Sequence, residues 1–507
     1  MTAAVEKTSL NLGKGGTDCV ESCPSNPAEA ETGHATPLLS PSEERKLVRK
    51  IDMHIIPVMF VLYLFQYLDK TSLGGTAIMG IIQDAKLKGT EYSWISSFFY
   101  VGFLVASPIS AVALVKFPVA KVVVVTVLIW AAIVMCMAAG KDFGSLSALR
   151  ILLGVFEAAI NPGFTMITSM WYKPSEHALR HGLWYGGASV AYIFGGLLAY
   201  GISHIHAAIK SWQFLFIIFG ALTFLWGIVV FFFLPDNPQT AYFLDANERK
   251  QAFARVQGLR HSADTRKWKN AQVKEALLDP RSWLLFLLSI FTTLPGGGLT
   301  AVSFFGSIVT KSFGYTLFQT QLLGMVTGIF LLTFVVITVA LSMIFKNGRC
   351  ISIAVLNVIS LAGCLMVKLV PADQKWTRMA GLWLIGAYAS AFPTILSLVS
   401  SNITGHTKKA TVNGMLFIGF CTGYIIGPLT FLADEAPGYA TAYDIMIACF
   451  VLNIAIVLAI RQIMAWWNKK RDREMGSANI LNAESAEDVL VALDETDWEN
   501  KAIRYSL

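Results

Sequence analysis

Charged residues are scarce in this chain. They make up 14% of its 507 residues, whereas hydrophobic residues make up 55%, and the mean hydropathy is +0.57. A soluble domain usually carries about 25% charged residues, and soluble folds do not hide this much apolar surface behind so little charge. The composition therefore argues against a soluble enzyme and indicates a protein that crosses a lipid bilayer several times.

The sequence also lacks the motifs of catalysis. It has no Walker A loop, no Gly-x-Ser-x-Gly elbow and no helical His-x₃-His pair, and histidines such as His204 and His406 lie in tails or at loops. We therefore predict that the protein is not an enzyme and needs no cofactor. The net charge of +7 is too small to indicate a nucleic acid as partner.

Cysteine is infrequent, with seven residues in the chain. Five lie in or beside apolar segments and are interpreted as small packing residues instead of a disulfide framework. Cys19 and Cys23 lie in the polar N-terminal segment with His34 nearby. This spacing is too weak a pattern to predict a metal site.

The chain divides into two tails, two apolar regions and one long polar loop. The N-terminal segment has no apolar run of a signal peptide and has the composition of a disordered tail. The apolar regions contain about twelve stretches near the ~20 residues that a helix needs to cross a bilayer. The predicted divisions are tail 1–50, six-helix bundle 51–234, loop 235–282, six-helix bundle 283–463 and tail 464–507.

Lysine and arginine are concentrated on one side of the predicted spans. Both tails and the loop 235–282 carry most of them, for example Arg45, Arg49, Lys469 and Lys470. Cytoplasmic loops of membrane proteins are enriched in these residues. We therefore expect both termini and the central loop to lie in the cytoplasm.

The two apolar regions repeat each other at an offset of about 232 residues. At this offset Gly182 aligns with Gly414, and the pair Tyr192-Ile193 aligns with Tyr424-Ile425. Two similar six-helix halves around a central cavity are the architecture of many secondary transporters. The expected fold is an all-α membrane protein of twelve transmembrane helices in two six-helix pseudo-repeats.

Four charged residues interrupt the apolar stretches of the first half without a charged counterpart in the second. Asp69 and Lys70 lie in the first predicted helix, and Arg150 and Glu157 lie in the fourth. A charge in the membrane interior costs ~2.5–3.5 kcal/mol on insertion scales. Charges confined to one half therefore favour a ligand site over a scaffold common to both halves.

The residue types in this group suggest an anion site and a proton site. Lys70 and Arg150 can hold a carboxylate, since arginine offers a bidentate fork and lysine a compact charge. Glu157, among small residues and before the helix-breaking Asn161-Pro162-Gly163, is the main candidate to carry a coupling proton. Asp69 is a second candidate for proton coupling.

Structural explanations remain open for each of these residues. Lys70 and Arg150 can extend to the interface, or Lys70 can pair with Asp69. Glu157 can be tied to a neighbouring backbone or amide group. Tyr67, Tyr185 and Asn413 are possible cavity liners, although aromatic residues in helix bundles are mostly core.

Several segments carry a family resemblance along nearly the whole chain. They include Leu68-Asp69-Lys70-Thr71-Ser72-Leu73, the Arg150-to-Glu157 run, Leu234-Pro235-Asp236-Asn237-Pro238 and the tail pattern Asp497…Glu499-Asn500…Arg504-Tyr505. These segments resemble the fungal allantoate permease-like anion:cation symporters of the major facilitator superfamily. The resemblance implies the major facilitator fold and a plasma-membrane carrier of organic anions such as ureidocarboxylates or vitamin-type carboxylates, typically with protons. In more distant vesicular glutamate and sialic acid carriers, the positions matching Lys70, Arg150 and Glu157 bind the anion and sense protons.

We therefore expect a monomeric secondary transporter in the bilayer that couples a small organic anion to protons by alternating access. An exporter of a secondary metabolite and a nutrient sensor without significant flux are the alternatives. A sensor would be expected to carry a folded signalling domain. The acidic C-terminal tail is interpreted as solvated, with a trafficking or turnover signal as the less favoured alternative.

Overall fold

The fold was analysed in a computed structural model of the chain. It describes residues 40–205, 209–264, 269–298, 306–344, 348–475, 496–500 and 503–505. Cys19, Cys23 and His34 lie outside this part of the chain, as do Ala301 and Val302, the counterparts of Asp69 and Lys70.

The first half is built from helices that run back and forth between two ends of a bundle. They are α1 (Pro41–Met79), α2 (Ile81–Asp84), α3 (Glu91–Lys116), α4 (Val119–Met137), α5 (Phe143–Glu157), α6 (Ile160–Trp171), α7 (Pro174–Ser203) and α8 (Ser211–Phe233). A linker follows with a 3₁₀ turn at Pro238–Thr240, α9 (Ala246–Asp264) and α10 (Asn270–Leu278).

The second half repeats this arrangement. Its helices are α11 (Pro280–Gly298), α12 (Gly306–Ser312), α13 (Leu317–Ile344), α14 (Arg349–Leu369), α15 (Lys375–Ile385), α16 (Phe392–Asn402), α17 (His406–Ile426) and α18 (Ala440–Met475). 3₁₀ turns lie at Gly386–Ala391, Gly427–Thr430 and Ala433–Glu435. We call the end of the bundle where α1 begins and α18 finishes the tail end, and the opposite end the far end.

The number of spans agrees with the sequence prediction. Within the described residues, eleven helical segments are long and apolar enough to cross a membrane, and the bent pair α10 and α11 brings the number to twelve. α10 meets α11 at 68°. The chain is therefore a multi-pass, all-helical membrane protein.

The first helix begins earlier than the predicted tail 1–50 allows. The Ser40 hydroxyl accepts a hydrogen bond from the backbone N–H of Glu43 at 3.3 Å, and the Glu43 carboxylate accepts one from the N–H of Ser40 at 3.1 Å. This capping box and Pro41 at the first helical position start a helix at residue 41. The ten residues before the predicted span are therefore part of α1.

The pseudo-repeat is visible in packing and in the position of the helix breaks. α1 packs on α7 as α11 packs on α17, and α4 packs on α8 as α14 packs on α18. The fourth span breaks between Glu157 and Ile160, next to Pro162, and the tenth breaks at the 3₁₀ turn before Pro393. The expected break therefore lies before Asn161-Pro162-Gly163 instead of at it, since these three residues form the first turn of α6, and its counterpart lies at the equivalent depth.

The two halves meet along two seams, α3 with α17 and α7 with α13. Specific contacts lie toward the far end: the Ser97 hydroxyl donates to the Ile425 carbonyl at 2.7 Å, and the Ser203 hydroxyl donates to Gln321 Oε1 at 3.1 Å. By contrast, α6 packs mainly on α4, α7 and α9, and α16 packs mainly on α14 and α17. The contacts described between the halves therefore lie from the middle of the bundle to the far end, which predicts an opening between the halves at the tail end.

The C-terminal segment is not a wholly solvated tail. α18 continues to Met475, beyond the predicted boundary at 463, and residues 496–500 and 503–505 pack against the bundle. Asp497 is fully buried and Tyr505 is 2% exposed. The interpretation as a solvated tail is wrong for these residues. An acidic composition does not reveal that the residues that bind them lie far away in the chain.

Two glycines allow α3 and α5 to touch backbone to backbone. A Cβ atom on Gly154 would lie 1.9 Å from the Phe99 carbonyl oxygen, and one on Gly102 would lie 2.2 Å from that of Ile151. No side chain fits at these distances. The close approach brings the end of α5, which carries Glu157, next to α3.

We predict that Gly154→Ala lowers the melting temperature of the purified protein in detergent. The added methyl group must push α3 and α5 apart, and overpacking of this kind costs about 1–3 kcal/mol. Gly182→Ala is the matched control, because a Cβ atom there meets nothing within 4 Å. Equal melting temperatures for the two variants would contradict the packing argument.

Candidate functional site

A buried ion pair joins α1 to α5 near the middle of the bundle. Nζ of Lys70 lies 2.6 Å from Oε1 of Glu157. The Glu157 side chain has no exposed surface, whereas 16% of the Lys70 side chain is exposed. The lysine therefore reaches open space while the carboxylate is enclosed by protein.

Neighbouring side chains hold both members of this pair. Gln66, one turn before Lys70 on α1, donates a hydrogen bond from Nε2 to Oε1 of Glu157 at 2.8 Å. The Lys70 ammonium also lies 5.1 Å from the ring centre of Tyr67 and 5.6 Å from that of Phe99. Aromatic faces attract cations at such distances. Oε2 of Glu157 has no hydrogen-bond partner among the described residues, so one side of the carboxylate is available to a proton.

Asp69 is separated from this pair although it precedes Lys70 directly. Its Oδ2 accepts hydrogen bonds from Trp130 Nε1 at 2.7 Å and from the Thr223 hydroxyl at 3.4 Å. Consecutive residues of a helix point about 100° apart. Asp69 therefore faces α4 and α8 inside the first half, and the alternative pairing of Lys70 with Asp69 is wrong.

Arg150 lies on α5, nearer the far end than Glu157. It is 1% exposed, so its side chain is enclosed by protein. A spacing of seven residues puts it about 10 Å from Glu157 along the same face. Glu157 and Asp69 are the carboxyl groups that interact electrostatically with it. Arg150 and Lys70 are thus two cations in one region of the first half.

Two of the three predicted cavity liners lie together. The rings of Tyr67 and Tyr185 are 6.4 Å apart, and both contact Tyr63, at 5.1 and 5.5 Å. Asn413 is instead exposed in the tail-end half of α17. The arrangement is therefore a tyrosine wall on α1 and α7, with Asn413 nearer the tail end on α17.

Sequence reasoning missed that the repeated Tyr-Ile pairs mark the two seams. On one seam the ring of Tyr424 stacks on Tyr100 at 4.3 Å. On the other, a Cβ atom on Gly328 would lie 2.8 Å from side-chain atoms of both Tyr192 and Ile193. The signal was present as a constant offset, but an offset does not say which helix faces which.

Comparison with known proteins agrees with this architecture. The family profile of the Major Facilitator Superfamily matches residues 59–428. An uncharacterised transporter of Schizosaccharomyces pombe is 34% identical over 463 residues, which cover 91% of this chain and 87% of that protein. The chain belongs to the major facilitator superfamily.

Two further similarities refine this assignment. The allantoate permease of Saccharomyces cerevisiae is 32% identical over 485 residues, covering 92% of this chain and 88% of the permease. The inward-open xylose transporter XylE of E. coli shares the fold with a TM-score of 0.63, at 13% identity and over 80% of this chain and 95% of XylE. The resemblance to the allantoate permease-like family is confirmed. This superfamily member is a transporter rather than an enzyme, and a small solute as cargo fits its relatives.

For this transporter we predict that a cysteine replacing Asn413 reacts with a water-soluble maleimide added from the tail end. The asparagine is polar and exposed at a depth where lipid-facing side chains are apolar, so it should border water. Ile418→Cys on the same helix is the control: Ile418 is 47% exposed but apolar, and should face lipid. Both variants need a background without the other cysteines. Equal labelling of the two positions would contradict a tail-end opening.

Proposed function

We propose that the protein is a symporter that couples protons to the transport of a small organic anion by alternating access. The observation that carries this proposal is the ion pair of Lys70 with the fully buried Glu157. A buried charge is stable only with a partner. The pair therefore links the charge state of Glu157 directly to the availability of Lys70.

The proposed coupling is a competition for Lys70. When Glu157 is ionised, its carboxylate pairs with the Lys70 ammonium group, and binding of a second carboxylate to Lys70 is unfavourable. A proton on Glu157 removes the negative charge, and Lys70 then binds the carboxylate of the substrate. When the proton leaves toward the other side of the membrane, Glu157 recaptures Lys70 and the substrate is released.

The proposed cargo is a carboxylate, because the partly exposed cation Lys70 lies in the same region of the first half as the buried Arg150. The tyrosine wall of Tyr63, Tyr67 and Tyr185 adds hydroxyl groups beside the lysine. Allantoate, which names one of the relatives, is such a carboxylate, and a ureidocarboxylate or a vitamin-like acid has the same chemistry. We assign proton coupling to Glu157 rather than Asp69, because Glu157 pairs with the partly exposed Lys70, whereas Asp69 faces Trp130 and Thr223 inside the first half.

We further propose that the tail end lies in the cytoplasm of a cell whose plasma membrane holds the protein. The excess of lysine and arginine at this end supports that orientation. When one proton enters with a monovalent anion, no net charge crosses the membrane, so the pH gradient drives accumulation. Each additional proton per anion adds about 2.3 kcal/mol per 100 mV of membrane potential. An exporter would use the same residues, so the direction of flux is decided by uptake and efflux measurements.

We predict that Lys70→Met abolishes anion uptake, with a decrease of at least about tenfold, because breaking a buried pair and losing the cation both act against binding. The single variant also leaves Glu157 buried without its charge partner and should be less stable. The double variant Lys70→Met/Glu157→Gln removes both charges, so it should recover surface abundance but not uptake. Radiolabelled carboxylates, allantoate among them, are supplied to cells at two pH values. Normal uptake by the double variant would exclude Lys70 from the anion site.

We predict that Glu157→Gln abolishes accumulation driven by a pH gradient but retains exchange of anion for anion. Glutamine is a neutral mimic of protonated glutamate, so Lys70 stays free for the substrate throughout the cycle. Counterflow in proteoliposomes measures exchange, and uptake with an imposed pH gradient measures coupling. Glu91→Gln is the control, because this carboxylate accepts from the Lys88 backbone in an exposed turn. Persistent gradient-driven accumulation by Glu157→Gln would transfer the proton role to another residue.

A further inference from the structure

A second buried charge cluster lies at the tail end of the second half, away from the Lys70–Glu157 pair. Nζ of Lys408 lies 2.6 Å from Glu275, 3.3 Å from Asp279 and 2.8 Å from Asp497. Arg281 bonds Asp279 at 2.6 Å and also bonds Asp497. The side chains of Lys408, Asp279 and Asp497 have no exposed surface, and that of Arg281 has 1%.

These residues come from four separate parts of the chain. Glu275 is on α10, Asp279 lies between α10 and α11, Arg281 begins α11, and Lys408 begins α17. Asp497 belongs to the C-terminal segment, of which residues 496–500 and 503–505 are described. It is therefore the contribution that comes from outside the linker and the bundle. It bonds the starts of two helices at once.

Tyr505 fixes the other end of the same segment. Its ring lies 4.4 Å from the guanidinium carbons of both Arg281 and Arg471. Its hydroxyl donates to Asp497 Oδ2 at 2.8 Å and accepts from Arg471 at 2.6 Å. Asn468 of α18 exchanges hydrogen bonds with the backbone of Tyr505 in both directions, at 2.8 and 2.9 Å.

The charges balance only with the C-terminal segment in place. Arg281, Lys408 and Arg471 supply three positive charges, and Glu275 and Asp279 supply two negative charges. Asp497 is the third negative charge. Without it one buried cation is left uncompensated, which is strongly unfavourable.

The first half has an equivalent arrangement with opposite signs. Lys408 lies 232 residues after Glu176, which is the offset of the pseudo-repeat. Glu176 is bonded by Arg255 of the linker helix α9, and Arg255 also bonds Glu44 near the start of α1 at 2.8 Å. In each half, a segment outside the six spans thus ties the start of the first spanning helix to the start of the fifth.

We propose that the C-terminal segment, residues 496–500 and 503–505, is an intramolecular clamp, seated on a cationic surface formed by Arg281, Lys408 and Arg471. The clamp holds the tail ends of α10, α11, α17 and α18 together. Alternating access requires each half to move largely as a rigid body. The clamp supplies that rigidity to the second half, as α9 does to the first.

The clamp is insensitive to pH in the physiological range. Burial alone would raise the pKa of Asp497, but the charges of Arg281 and Lys408 and their hydrogen bonds hold that pKa below its ordinary value. A carboxylate with a depressed pKa stabilises the folded state above its unfolded pKa and loses this effect only as the pH falls through the folded value. The facing groups are Arg281, Lys408, Arg471, Tyr505 and the acids Glu275 and Asp279. Docking should therefore be constant between about pH 5 and 8.

The test measures undocking directly in the full-length chain. Ile503 is 9% exposed, and Ile503→Cys in a background without other cysteines reports whether the segment is seated. Asp497→Asn should raise the maleimide labelling rate at position 503 by at least about tenfold, because it removes a charge that bonds two buried cations. It should also lower the melting temperature in detergent.

Glu499→Gln is the matched control for this experiment. It removes the same charge from the same segment, but Glu499 is exposed and accepts from the backbone of Thr496. Its labelling rate should equal that of the parent. If Asp497→Asn fails to reach the membrane, Tyr505→Phe, which deletes only a hydroxyl group, should raise the labelling rate by a smaller factor.

Equal labelling of Asp497→Asn, Tyr505→Phe and Glu499→Gln would overturn the proposal. A labelling rate of the parent that rises between pH 8 and pH 5, after correction for thiol ionisation, would do so too. Neither measurement involves substrate, so their outcome is independent of the transport tests on Lys70 and Glu157.

Discussion

A carboxylate enclosed in a membrane protein must be neutral or paired, and the arrangement of the first half depends on this constraint at Glu157. The close approach of α3 and α5, made possible by Gly102 and Gly154, brings Glu157 against α3. The packing of α1 on α7 and α8 orients Lys70 toward it. The pair is enclosed on the carboxylate side and partly exposed on the lysine side. A change of charge on Glu157 therefore directly alters the affinity of Lys70 for a ligand.

The two halves share their packing but not their chemistry. Equivalent helices form equivalent contacts, and the repeated Tyr-Ile pairs lie at the two equivalent seams between the halves. The charges depart from this symmetry twice. In the middle of the bundle they occur in the first half alone, where we place the anion site. At the tail end both halves are charged, but with signs exchanged between Glu176 and Lys408, because one partner segment brings an arginine and the other an aspartate.

Much of the fold could be predicted from local patterns. Some features depend only on residues that are close together in the chain, so they can be identified from the sequence directly. They are the apolar stretches of membrane-spanning length, the proline after Asn161 and the capping sequence at Ser40. The prediction did not use the capping sequence at Ser40, so the predicted first helix was too short. Asn413 was placed in the cavity by its residue type alone, and residue type does not say whether an exposed asparagine borders the site or a separate opening.

The sequence by itself determined that the chain crosses the membrane about twelve times, that it is built from two repeats, and that four interior charges are confined to one of them. These properties follow from composition, periodicity and offset. Only the tertiary structure decided that Lys70 pairs with Glu157 while Asp69 turns toward Trp130, and that Asp497 docks on Arg281 and Lys408. The physical reason is the same in both cases. Adjacent residues on a helix face different neighbours, and the identity of a neighbour tens or hundreds of residues away is set by how the helices pack.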